Sequence, residues 1–381
     1  MNKPVYHNQQ RSMVAIRTDA SLEIGSGHVM RCLTLAAALR EQGAECYFLC
    51  REHPGHLISM IESRGFTVHR LPMAQQTIDH LQENDVQSGH THWLGASWQT
   101  DAKVCRPLLT HLTPDWLVVD HYALDARWEE AVLPESTRLM VIDDLADRPH
   151  CADLLLDQNL GREVNDYADL VPANCRVLAG PHFALLRPEF SALREKSLAR
   201  RDQHFSFKRL LISLGGVDKD NVTGQVLSAL RDCDLPPGID IEVVMGATAP
   251  WLDEVRKSAS TMPRPTNVVV NISDMAQRMA DADLAIGAAG STSWERCCLG
   301  LPTLMIVLAD NQQSIAVELE KVGATITLQF GSLLCSLKQH WANIIQPASL
   351  ARMSDRAAQV SDGYGASRVA EAFLEIPQSE N

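Results

Sequence analysis

A chain of 381 residues is too long for one ordinary core and comfortable for two domains. Its 45% hydrophobic and 21% charged residues exclude wholesale disorder. With 34 Lys plus Arg against 47 Asp plus Glu, the formal net charge of −13 disfavours nonspecific attraction to nucleic acid or anionic lipid, so any bound anion has to be captured by local groups.

Residues Met1 to Ser12 are polar and carry no apolar h-region, and no apolar run reaches the roughly 18 to 20 residues of a bilayer span. Neither a secretory leader nor a membrane segment is expected. The ten cysteines are scattered without a CxxC pair, which reads as reduced thiols in the cytoplasm. Cys46 and Cys50 flank a strand-like run and lack a matching second pair, so no metal site is expected.

In chain order, Met13–Thr18 (MVAIRT) reads as a strand, followed by a glycine-bearing loop and a helix over about 28–42. Cys32, Leu35, Ala36 and Leu39 fall at i, i+3, i+4 and i+7, and Gly43 stands where a C-cap glycine belongs. Glu45–Cys50 reads as a strand, Pro54–Arg64 as a helix stopped by Gly65, and Phe66–Leu71 as a strand. Gln75 to Gln99 is polar and irregular, an excursion beside the first sheet. Trp116–Asp120 and Leu139–Asp143 are apolar runs ending in carboxylates, as parallel strands at a functional edge often do. A charged segment near Arg187 to Lys208 separates this half from the next.

There the pattern restarts. Arg209–Leu214 runs into Gly215-Gly216 and a helix over about 218–231, and strands are predicted at Ile241–Met245, Asn267–Ile272, Asp283–Ile286 and Thr303–Leu308. Such alternation predicts an α/β fold with buried parallel sheets, because parallel strands need crossover helices. Two such units in tandem would leave a cleft between them.

Three strand-to-helix junctions carry chemistry. In RTDASLEIGSGHVMR (17–31), Gly25 and Gly27 allow a ligand close to the backbone, and the new helix offers unpaired N–H groups and a positive dipole end to an anion. His28 at that helix start is a candidate general base. The dinucleotide fingerprint is excluded, since it would need glycine where Met30 stands. In LGGVDKDNVT (214–223), Gly215 and Gly216 precede a helix with Asp218 as an N-cap candidate, and Asn221 is a polar contact for a phosphate. In the third, Gly287–Gly290 lead into Ser291 and Thr292 at a helix start, and Glu295 either bonds a ribose diol or closes a capping box with Thr292. Asp310, Asn311 and Gln312 cap the next helix. Each junction alone can be a mere turn; three together favour a nucleotide diphosphate.

The combination of RTDASLEIGSGHVMR, VVDHYALD (118–125), GPHFALLRPEF (180–190), LGGVDKDN and GAAGSTSWE…LGLP…NQ resembles the PseG family, the UDP-2,4-diacetamido-2,4,6-trideoxy-β-L-altropyranose hydrolases of pseudaminic acid biosynthesis. The resemblance runs from about residue 13 to 375, and GHVMRC is its most specific part. The C-terminal half is also similar to MurG-like glycosyltransferases. The resemblance implies a GT-B fold of two Rossmann-like domains facing a central cleft, 13–190 carrying the catalytic histidine and 205–375 holding UDP. It implies removal of UDP from the sugar by water attack at C1 with inversion, without metal or other cofactor. The family's catalytic histidine matches His28, its essential tyrosine Tyr122, its nucleotide-contacting glutamate Glu295 and its asparagine before glutamine Asn311.

Either Asp19 or Asp120 orients His28 or the sugar, and Arg31 either neutralises phosphate or pairs with a surface carboxylate. His53, His56, His80, His90 and His92 read as solvated loop or polar-face residues, and Trp116 and Trp294 as packing anchors. The expected partner is the UDP-sugar, with no nucleic acid and no membrane, and a monomer is expected. A MurG-like transferase is the competing activity. A catalytically silent nucleotide-sugar binder would need a broken histidine motif, and the histidine is present.

Overall fold

The computed structural model of the protein describes residues 11–73, 89–202 and 207–376. It divides into two compact units, Met1–Asp157, Glu163–Ala179 and Ser367–Asn381 forming the first, Gln158–Arg162 and Gly180–Ala366 the second.

The first unit is a seven-stranded, all-parallel sheet in the order β3-β2-β1-β4-β5-β6-β7. Its strands are β1 (Met13–Thr18), β2 (Glu45–Arg51), β3 (Thr67–Leu71), β4 (Trp116–Asp120), β5 (Arg138–Ile142), β6 (Leu154–Asp157) and β7 (Arg176–Ala179). Helices α1 (Gly27–Glu41), α2 (Ile58–Ser63), α3 (Trp98–Leu112) and α4 (Ala126–Val132) cross between strands. The second unit has six parallel strands in the order β10-β9-β8-β11-β12-β13: β8 (Arg209–Ser213), β9 (Asp240–Met245), β10 (Thr266–Val270), β11 (Leu284–Ala288), β12 (Thr303–Ile306) and β13 (Thr325–Leu328). Its helices are α5 (Pro188–Asp202), α6 (Val222–Arg231), α7 (Leu252–Ser260), α8 (Met275–Asp281), α9 (Thr292–Cys298), α10 (Gln313–Lys321), α11 (Leu333–Ile344) and α12 (Pro347–Ala358); α13 (Gly365–Glu375) belongs from Ser367 onward to the first unit.

The α/β expectation holds, and the reason is visible in the strands. Leu210 and Ile212 enter one apolar cluster while Leu211 enters another, so both faces of the sheet are covered, as parallel sheets require. Each sheet reverses its winding direction once, between β1 and β4 and between β8 and β11. Ligands of doubly wound sheets bind beyond the carboxyl ends of strands at such switch points. Those ends carry Asp19 and Asp120 in the first unit, and Gly215 and Gly290 in the second.

Several boundaries differ from the sequence reading. The helix expected from 218 starts at Val222, because Asp218 (φ 43°) and Asn221 (φ 51°) hold left-handed turn conformations. The charged segment expected to separate the halves is itself part of the second unit. It is helix α5, whose Arg194 donates to the carbonyls of Ala358 and Ser361 and whose Arg201 donates to those of Met279, Ala282 and Leu299. Cations satisfying carbonyls at helix ends fix α5 to the second unit, which therefore begins before residue 190. The last helix returns to the first unit, with Phe373 packed on Trp116 at 4.5 Å and Arg176 paired with Glu375. Of the polar excursion, 74–88 lies outside the described residues. Residues Thr91–Leu94 form a turn of 3-10 helix, and α3 opens at Trp98 under the Ser97 cap.

Candidate active site

The first junction is built by the pleat. Thr18 pairs in register with Asp120, so these two project to one face and Asp19, one residue on, to the other. Asp120 therefore meets α1. His28 Nδ1 lies 2.6 Å from Asp120 Oδ1, and Arg31 forks onto the same carboxylate, Nε to Oδ2 and Nη2 to Oδ1 at 2.7 Å each. Arg31 Nη1 reaches Asp144 Oδ2 at 2.6 Å, which also accepts the Tyr122 hydroxyl at 2.6 Å. The Tyr122 ring stands edge-on to His28, centroids 4.6 Å apart.

Burial opposes ionisation of Asp120, yet Arg31 and then His28 hold its carboxyl far below the usual carboxylate range. An ionised carboxylate 2.6 Å away requires the proton on Nδ1, so the neutral ring keeps its lone pair on Nε2. Burial, then Asp144, pushes the Tyr122 phenol well above its ordinary range, which keeps it protonated. The arrangement is an imidazole whose tautomer is fixed by a buried acid, which can serve as a base. That logic operates in hydrolytic triads.

Asp19 is engaged elsewhere. Its Oδ1 accepts the Arg51 amide and faces Arg17 Nη1, both at 2.7 Å, and its Oδ2 faces His121 Nε2 at 3.4 Å and His53 Nε2 at 3.6 Å. Arg17 and Arg51 also pair with Asp101 of α3. This is the opposite face of the sheet from His28, so Asp120 is the carboxylate that meets the histidine. Arg31 pairs with the buried Asp120 and the partly buried Asp144, and not with an exposed surface carboxylate. His53 is buried rather than solvated, and the half-buried His90 packs edge-on against both Trp93 and Tyr122. His92 is exposed and pairs with Glu23, the His56 ring accepts the Ile58 amide, and His80 lies outside the described residues. Gly25 (φ 79°) closes the loop by donating to the Ser21 carbonyl, and Gly27 opens α1 under Ser26, whose side chain makes no cap.

In the second unit the glycine junctions diverge. Gly215 (φ 100°) turns the chain out of β8, and the Gly216 carbonyl accepts the Gly246 amide. The first-turn amides of α6 are already taken: Asp218 accepts from Val222 and Thr223, and the Asn221 side chain accepts from Gly224. Asn221 thus caps its own helix. At α9 the amides are uncapped by side chains, and Ser291 and Thr292 are exposed. No capping box joins Thr292 to Glu295. The Thr292 hydroxyl accepts from Arg296, and Glu295 faces Arg187 at 3.6 Å. Burial raises the Glu295 carboxyl and Arg187 offsets part of that rise. A Cβ on Gly290 would stand 3.9 Å from Gln312 Nε2, so Gly290 and Gln312 adjoin, while Asn311 beside them is exposed.

Four residues that the sequence did not flag stand in these sites. Asp144 follows the predicted LMVID run directly, and its doubled carboxylate was the available signal. Trp93 and His90 lie in the unplaced excursion. Arg296 is buried without any ion pair among the described residues, its guanidinium held by the Ala288 carbonyl and the hydroxyls of Thr292 and Ser293.

No helix among the described residues is long and apolar enough to cross a membrane. Residues 225–369 match the glycosyltransferase family 28 C-terminal domain. The chain is 26% identical over 303 residues to an uncharacterized protein of Methanocaldococcus jannaschii, covering 78% of this chain but only 56% of that protein's length. It is 26% identical over 318 residues to the UDP-2,4-diacetamido-2,4,6-trideoxy-beta-L-altropyranose hydrolase of Campylobacter jejuni, covering 83% of this chain and 99% of that enzyme. The crystal structure of Acinetobacter baumannii MurG superposes with a TM-score of 0.70 at 15% identity, over 96% of this chain and all of that one. The protein is therefore an α/β chain of the GT-B fold, like MurG, whose second unit carries nearly all of the match to the glycosyltransferase family 28 C-terminal domain.

Proposed function

We propose that the protein hydrolyses a UDP-linked 2,4-diacetamido-2,4,6-trideoxy sugar to UDP and the free sugar, with His28 as general base. The observation that carries this reading is the His28–Asp120 contact of 2.6 Å at the start of α1, which leaves Nε2 free to take a proton from water. The distant likeness to the Campylobacter hydrolase, which spans nearly all of that enzyme, supports the choice of substrate class.

In the proposed step, Nε2 removes a proton as water attacks the anomeric carbon. The C1–O bond to the diphosphate breaks, its electron pair leaves on UDP, and the configuration at C1 inverts. The imidazolium that forms is stabilised by Asp120, which Arg31 holds in place. Asp144 takes the Tyr122 hydroxyl and so fixes the ring against His28. Gly25 and Gly27 let the sugar approach the backbone beside His28 at the start of α1. UDP is assigned to the second unit: Gly215, Gly216, Gly290, Ser291, Thr292 and Gln312 for its phosphates, Glu295 for the ribose diol, and Asn311 beside them. Asn221 is assigned to the helix and not to the ligand, because its side chain is committed to the Gly224 amide.

A MurG-like transfer to an acceptor hydroxyl is the second reading, favoured by the family 28 match and the superposition on MurG. One experiment separates them. The purified protein, treated with EDTA and given the UDP-sugar in 18O-water without acceptor, is followed by NMR. Hydrolysis by attack at C1 puts 18O on the free sugar and none on UDP, and yields the inverted anomer first. Absence of UDP release without an acceptor would favour the transferase, 18O in UDP would place attack at phosphorus, and arrest by EDTA would reveal a metal requirement. His28→Asn should remove turnover and leave UDP affinity unchanged.

A further inference from the structure

Beside His28 stands a group of rings with no task in the proton transfer. Trp93 lies nearly parallel to Tyr122, centroids 5.6 Å apart and planes at 21°, and meets His28 edge-on at 6.4 Å. His90 packs edge-on against both Trp93 (4.6 Å) and Tyr122 (5.2 Å). Burial lowers the His90 pKa, which favours a neutral, apolar ring. Tyr122 is buried, whereas Trp93 is half-exposed, so the indole is the outer layer of the stack. Its Nε1–H donates to none of the described residues.

Neighbouring residues position Trp93. Leu94, the next residue, is buried in the core of the first unit. Gly95 (φ 67°) presses so close to His53 that a Cβ would come within 2.7 Å of its ring. On the other side His92 pairs with Glu23 of the glycine loop at 2.8 Å. These three contacts place the segment on both sides of Trp93.

We propose that Trp93 is the specificity-determining residue for the sugar, resting on the hydrolase reading above. A pyranose offers C–H faces to aromatic rings, and this substrate class replaces hydroxyls by one methyl and two acetamido groups. Such a sugar is more apolar than an ordinary hexose and suits a tryptophan face next to the base. The free indole N–H supplies one donor for an acetamido carbonyl. The stack selects the trideoxy diacetamido sugar over UDP-N-acetylglucosamine, which keeps its C6 hydroxyl.

The test compares wild type, Trp93→Ala and Trp93→Phe with both UDP-sugars, and measures binding of the free diacetamido-trideoxy sugar by ligand-observed NMR. Trp93→Ala should raise KM for the diacetamido substrate about tenfold or more, with a smaller change in kcat and an unchanged inhibition constant for UDP. Its preference over UDP-N-acetylglucosamine should fall toward one, and Trp93→Phe should restore most of it. Equal losses on both sugars, or wild-type KM and preference in a folded Trp93→Ala, would overturn the proposal. If wild type hydrolyses neither compound, the hydrolase reading fails, and the free-sugar measurement decides separately. Binding lost in Trp93→Ala then supports the ring's role, and binding unchanged ends it.

Discussion

Two arginines stand one helical turn into glycine-led helices and behave in opposite ways. Arg31 of α1 faces two carboxylates, and although burial pushes its pKa down, Asp120 and Asp144 more than reverse that. Arg296 of α9 has no ion pair among the described residues, and burial pushes it down to about 10, still cationic at neutral pH. The first junction is thus neutralised internally and suited to hold a base in place. The second is left positive and suited to draw an anion. The two junctions look alike as sequence but differ in charge balance, which suits them to the different roles proposed above.

The largest effect should come from breaking the first junction. Asp120→Asn is expected to lower kcat by about 10³ to 10⁴, because an amide can no longer enforce the Nδ1–H tautomer, while UDP affinity stays constant. It should also destabilise the protein by about 3–5 kcal/mol, since Arg31 loses a buried partner. A loss of kcat under tenfold would remove Asp120 from the orienting role.

Arg296→Met should act on binding. Loss of the buried positive charge behind the α9 N-terminus predicts a UDP affinity weaker by about tenfold by calorimetry, with kcat at saturation little changed. A kcat defect without an affinity defect would erase the contrast between the arginines.

Acid should distinguish the units. Asp101 is opposed by burial, but Arg17 and Arg51 hold it down to about 2, against an ordinary 3.8. A depressed folded pKa gives stability that is complete above the ordinary value and is lost as pH falls through about 2. The contribution is about 2 kcal/mol. Hydrogen exchange at pH about 3 should therefore expose β1 and β4 before β8 and β11, and Asp101→Asn should flatten the acid limb of the stability curve. Simultaneous opening of both sheets would deny the first unit its special dependence on ion pairs. Smallest of all, Asn221→Ala should cost about 1 kcal/mol in thermal stability as a lost cap, with UDP affinity unchanged. A weakened UDP affinity would return Asn221 to the ligand.

Much of this was legible in the sequence. Apolar periodicity and turn glycines are local signals, so the strands Met13–Thr18, Trp116–Asp120 and Arg209–Leu214 and the three glycine junctions could be read directly. Helix starts were read less well. Asp218 and Asn221 have the composition of a phosphate loop, but their left-handed backbone spends both side chains on their own helix. The buried state of His53 was hidden because its partner, Asp19, lies 34 residues away, just past the end of β1.

By itself the sequence determined the alternation of strand and helix, the glycine turns at the strand ends and the histidine that opens the first long helix. These depend on neighbours within a few positions. The tertiary structure decided which acid serves that histidine, since strand β4 inserts beside β1 and its register puts Asp120 on the face of α1 and Asp19 on the other. It also decided which of two similar arginines is neutralised. Charge pairing acts through space, and only strand order and pleat bring together residues about ninety positions apart.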